Sequence, residues 1–160
     1  MRIGTVLADL HRDENELVRA LLRLSDEHRA NHEVHYVARD LAQWSSAHVR
    51  EIARAAEEFG EKLDPAPDEA PSFVEQAHRW VSERSERSPA SELAMVRALR
   101  DVYVRASGVL TDWEMIGQAA QTLVHDELLD LATRCGAETR RQARWANAQI
   151  KEASTQALVV

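Results

Sequence analysis

The sequence predicts an all-α protein, a single bundle of four helices, and three observations carry that prediction. The 160-residue chain has only five glycines and four prolines, abounds in alanine, leucine, arginine and glutamate, and lacks β-branched or aromatic runs, a composition that favours helix over strand. Four segments repeat their apolar residues at steps of three and four, which lines one face of an α-helix. One stretch, Glu61 to Pro71, packs three prolines into seven residues and cannot continue a helix. A chain of this length is one ordinary domain, taken as residues 1–160, with room for one substantial core.

The first helix is expected from about Thr5 to His28, with Leu7, Leu10, Glu14, Leu17, Leu21 and Leu24 on one face. Glu14 is the one acid in that stripe; Asp13 and Glu16 fall off it and read as solvated charges. The polar run Asp26 to His32 holds Asn31, a residue that tolerates left-handed backbone, so a tight connection is placed there. A second helix follows from about His32 to Phe59, its stripe Val34, Val37, Leu41, Trp44, His48, Ile52, Ala55 and Phe59. His48 puts an ionisable ring on a face that should be buried. Gly60 suits the helix C-cap.

The connection from about residue 60 to 91 is long enough to travel the length of a bundle, and Ser72 to Arg84 within it repeats Phe73, Ala77, Trp80 and Val81 at helical spacing. Ser88-Pro-Ala-Ser91-Glu92 reads as the next helix start, with Ser88 or Ser91 as N-cap and Pro89 in the first turn. A third helix is expected over about Glu92 to Val124, with Val96, Leu99, Tyr103, Ser107, Leu110, Glu114, Gly117, Gln121 and Val124 sharing a face. Gly108 and Gly117 lie in its interior, where close packing or a bend would account for them. The fourth starts near Asp126 and runs to about Ser154, with Leu128, Leu131, Cys135, Glu138, Gln142, Trp145 and Gln149 inward; a start after Gly136 is the competing reading.

Charge and cysteine usage narrow the function. A net charge of -7 with no clustered basic face argues against nucleic-acid binding. No apolar run approaches the roughly 20 residues that span a bilayer, and no signal-peptide core follows Met1, so a cytoplasmic protein is expected. Cys135 is the one cysteine, which fits a reducing compartment and a helix-packing role. Only two of the 20 basic residues are lysine, a bias attributed to a GC-rich bacterial genome. A homodimer or other homo-oligomer suits an amphipathic bundle of this kind.

Glu14, His48, Glu114 and Glu138 form the candidate site. Glu14 lies about 16 residues before the first turn and His48 about 18 after it, while Glu114 and Glu138 lie about 11 and 13 either side of the second. At about 1.5 Å per residue each pair sits at nearly matched depth. Three carboxylates and an imidazole suit iron, manganese or zinc. The metal-free reading pairs these groups with each other and with Arg141, one turn beyond Glu138, because a buried charge needs a partner. Trp44 and Trp113 flank inward polar positions and fill the centre beside them. The run His28, His32, His35 has zinc-like spacing but straddles the first turn and reads as surface.

The runs Arg12-Asp-Glu14-Asn-Glu-Leu-Val-Arg-Ala-Leu, Ala47-His48-Val-Arg-Glu-Ile52 and Asp112-Trp-Glu114-Met-Ile resemble the metal-bearing helices of the ferritin-like superfamily, and within it the bacterial stress-associated YciE/YciF-like branch. The resemblance implies a ferritin-like four-helix bundle of two antiparallel hairpins joined by a long crossover. It also implies a di-metal set of one glutamate from helices 1 and 3 and Glu-x-x-His from helices 2 and 4, onto which Glu14, Glu114, His48 and Glu138 map. Ser45 stands where the bridging glutamate of helix 2 belongs and Arg141 where the histidine of helix 4 belongs. A lost carboxylate and an imidazole replaced by a fixed cation leave too few ligands for a di-iron centre. The expectation is therefore a non-catalytic protein with a degenerate site holding no metal or one weakly bound iron, manganese or zinc ion. A metalloprotein or oxidase, and a helical module taking a small acidic ligand or partner protein, are the alternatives.

Overall fold

The structure, a computed structural model, describes residues 2–68 and 88–159. Four long helices account for most of them: α1 (Ile3–Glu27), α2 (His32–Glu57), α3 (Pro89–Leu123) and α4 (Asp126–Val159). Among the described residues there is no strand. Buried apolar residues from all four helices form one continuous core. α1 packs on α2 and on α3, and α3 packs extensively on α4; α2 and α4 meet least, so the ring of helices closes loosely along that seam. None of these helices is long and apolar enough to cross a membrane.

Local chemistry sets the helix ends. Asn31 is the N-cap of α2 in extended backbone, its side chain accepting from the Val34 amide at 3.1 Å; it is not the left-handed turn residue that composition suggested. Gly60 does take a left-handed conformation, at φ 83°, just after α2. Ser88 and Ser91 form a reciprocal capping box with Pro89 in the first turn of α3, which satisfies amides that helix starts leave open. Val124 turns the chain into α4 with φ 54° and is 81% exposed, so it is a turn residue rather than the end of a buried stripe. Helix α4 begins at Asp126 and runs straight through Gly136. That glycine is buried against Trp113, whose Cβ lies 3.6 Å from where a Cβ at position 136 would be, an ordinary van der Waals contact.

After α2 the chain runs without regular secondary structure along α1. His11 Nε2 donates to the Asp64 carbonyl at 2.7 Å, the Asp68 amide donates to Asn15 Oδ1 at 2.9 Å, and Leu63 packs against the core. Gly4 permits this strap, because a side chain there would put Cβ 2.8 Å from the Phe59 carbonyl oxygen. The helix expected over 72–84 lies outside the described residues.

Candidate functional site

At the centre of the bundle one residue from each helix meets, although not the four the sequence suggested. Glu14 of α1 lies among Leu10, Leu17 and Leu21 and is fully buried; His48 of α2 is 1% exposed. The His48 ring bridges two carboxylates. Its Nδ1 donates to Glu14 Oε1 at 2.7 Å and its Nε2 donates to Glu138 Oε2 of α4 at 3.1 Å. Trp113 of α3 completes the set, its indole Nε1 donating to the same Glu14 Oε1 at 3.1 Å. The Trp113 ring meets the imidazole edge to face at 6.0 Å.

A carboxylate oxygen only accepts, so an imidazole with a carboxylate on each nitrogen carries both protons and is a cation. Burial on its own would push His48 down; hydrogen bonding to Cys135 and to Glu14, with the Glu14 charge, outweighs it, and the pKa is raised. Cys135 itself is a buried thiol that burial pushes up, against the pull of His48, so at neutral pH it lends no negative charge. The imidazolium is held by the carboxylates. Glu138 is about one-third exposed and gives this cluster its edge toward solvent.

Glu114 is not part of it. Its side chain is 59% exposed and accepts from Arg140 at 3.3 Å on the outside of the α3–α4 pair. The face of α3 that is buried runs Met95, Leu99, Val102, Ala106, Val109, Trp113, Ile116, Ala120, one residue out of step with the expected stripe around Trp113. One residue is more than a quarter of a helical turn, and burying Glu114 would have turned the indole out to water. The apolar spacing of this second frame was present in the sequence and was the signal for Trp113. Arg141 is exposed as well, so it does not neutralise Glu138; His48 does.

The position-45 departure has a local answer. Ser45 is buried, and Gln142 Nε2 donates to its hydroxyl and to the Leu41 carbonyl, both at 2.9 Å. A neutral hydrogen-bonded pair thus links α2 to α4 where the resemblance would place metal-bound groups. The histidine run is dispersed: His35 Nδ1 donates to the Ser25 carbonyl at 2.8 Å, and His32 is exposed.

The donor set does not fit a di-metal centre. The two carboxylates lie off opposite edges of one imidazole, whose nitrogens are both committed, and the third carboxylate is on the surface. Glu14 Oε2 is a buried oxygen without a hydrogen-bond partner, one donor atom where a metal needs several. Among the described residues no three histidine, cysteine, aspartate or glutamate side chains are arranged to ligate one ion.

A second polar cluster lies about one helical turn away. Arg134 of α4 donates from both terminal nitrogens to the two oxygens of Glu51 of α2. Hydrogen bonding to Arg134 lowers Glu51 against the effect of burial, and Arg134 is raised in turn. Sequence reading passed over this pair, since ordinary surface charges on two helices carry no mark of facing each other. No family model, no curated protein and no solved structure matches the chain.

Proposed function

We propose that this chain is a ferritin-like bundle of the stress-associated YciE/YciF-like kind, cytoplasmic and non-catalytic, in which an internal ion cluster stands where its relatives would hold metal. The observation that supports this reading is the bridging imidazole, with Glu14 on one nitrogen and Glu138 on the other. A metal-bound histidine offers a lone pair; this one has none to offer while both carboxylates are ionised. The cationic ring supplies between helices the positive charge that a metal would supply, and it does so without redox chemistry or an open coordination position. Function then lies in the surfaces the bundle presents rather than in its centre.

The test is elemental analysis by plasma mass spectrometry on untagged protein purified without chelator from cells supplied with iron, manganese and zinc. The expected result is metal far below one equivalent, with no difference between wild type and His48→Ala. Near one equivalent per chain, lost in His48→Ala, would overturn the reading in favour of a metalloprotein.

A further inference from the structure

The loose seam between α2 and α4 holds an open cleft of about 270 Å³, just below the range of about 300–1,000 Å³ typical of ligand pockets. Its floor is apolar: Ala55 and Phe59 from α2, Leu128 and Leu131 from α4. Two of its wall groups are occupied by neighbours. Glu51 is held by Arg134, and Glu58 accepts from His125 Nε2 at 3.0 Å while His125 Nδ1 accepts from the Leu128 amide. His125 also stacks at a tilt on Phe59, 5.8 Å between ring centres. These contacts hold the wall side chains in place; Glu51 is paired with a guanidinium, whereas Glu58 accepts from a neutral imidazole and keeps its negative charge.

Three charged groups of the lining stand outside those pairs, and they are divided by sign. Arg54 is on the α2 wall; Glu127 and Asp130 are on the α4 wall. All three are exposed at the mouth. A simple acid would meet one cation and two anions, and a simple amine would leave Arg54 unused. A molecule with a carboxylate, an ammonium and a compact apolar body engages every part. We propose that this cavity binds a small zwitterion with an apolar side chain, of the class of the free aromatic or branched amino acids. The carboxylate lies toward Arg54, the ammonium toward Glu127 and Asp130, and the side chain on Phe59, Leu128 and Leu131. The site goes beyond the central cluster and does not depend on whether that cluster takes metal.

The experiment is a titration of the full chain followed by amide and methyl NMR, with L-phenylalanine as probe and phenethylamine and phenylacetate as single-charge controls. Expected are shift changes at Ala55, Phe59, Leu128 and Leu131, with phenylalanine bound at least tenfold more tightly than either control. Arg54→Gln should reduce phenylalanine to the affinity of phenethylamine, and Glu127→Gln with Asp130→Asn should reduce it to that of phenylacetate. These residues are exposed, so the variants keep the fold, which the unchanged remainder of the spectrum verifies. No perturbation at the cavity, or equal binding of phenylalanine and one control, overturns the proposal.

Discussion

The molecule joins its helices by charge in two settings, and the comparison shows what burial does to an ion pair. At the centre, Glu14, His48 and Trp113 sit in a dry core; at the periphery, Glu51 meets Arg134 and Glu114 meets Arg140 with both partners substantially exposed. The peripheral pairs can exchange partners with water, so their net worth is about 0–1 kcal/mol each. The central groups cannot. Taking them out of water costs several kcal/mol per ion, recovered only while every partner is present. The centre is therefore specified by mutual need and the periphery is not, although both use the same kinds of side chain.

The largest expected effect is the removal of a single central partner. Glu14→Ala or His48→Ala should cost about 3–5 kcal/mol in urea denaturation, because each leaves a buried charge short of its closest partner. Loss of less than about 1 kcal/mol from either would put the centre on a level with the periphery and break the comparison. Replacing the cluster together, as Glu14→Leu with His48→Met and Trp113→Phe, should cost less than Glu14→Ala alone, since well-packed apolar groups often match a buried ion pair. A triple variant less stable than the single one would mean that the cluster is worth more than its desolvation.

The pH dependence sharpens the same contrast. The His48 pKa is raised on folding, so its contribution is complete below the unfolded value of about 6.5 and is lost as pH rises through the raised folded value on the alkaline side. Wild-type stability should fall across that alkaline window relative to the triple variant, and a parallel pair of curves would contradict the assignment. Asp112 gives a smaller effect. Burial first, then Asp13 and Asp9, raise it to about 6, so it favours the fold below its unfolded pKa and that contribution disappears as pH rises through about 6. Asp112→Asn should flatten the melting temperature between pH 4 and pH 6 by a small amount, since the group is only partly buried. At the periphery, Arg134→Ala should cost about 1 kcal/mol or less and Glu114→Ala about 0.5 or less.

The same contrast explains what the sequence made legible. Four helices, the capping serines, Gly60 and the start of α4 near Asp126 could all be read, because apolar periodicity and cap residues are local signals. The inward placement of Glu14 and His48 was legible too, each being the polar exception in a strong stripe. The third helix was misread by one residue because Tyr103, Leu110 and Gly117 make a passable stripe beside the true one, and choosing between them required weighing Trp113 against Glu114. Three-dimensional pairings escaped altogether: that His48 would neutralise Glu138 in place of Arg141, that Ser45 would meet Gln142, and that Arg134 would find Glu51. Each depends on how two distant helices are rotated against one another, which no single stripe encodes.

A doubly protonated His48 holds the centre of the bundle, and long-range proton–nitrogen NMR on selectively labelled histidine measures its protonation directly. Both ring nitrogens of His48 should carry the similar shifts of an imidazolium at neutral pH, persist through pH 9, vanish as a signal in His48→Ala, and stay unmoved by added zinc. One pyridine-type nitrogen at neutral pH, or a shift on titration with zinc, would show a neutral ring with a lone pair to give and would contradict the account.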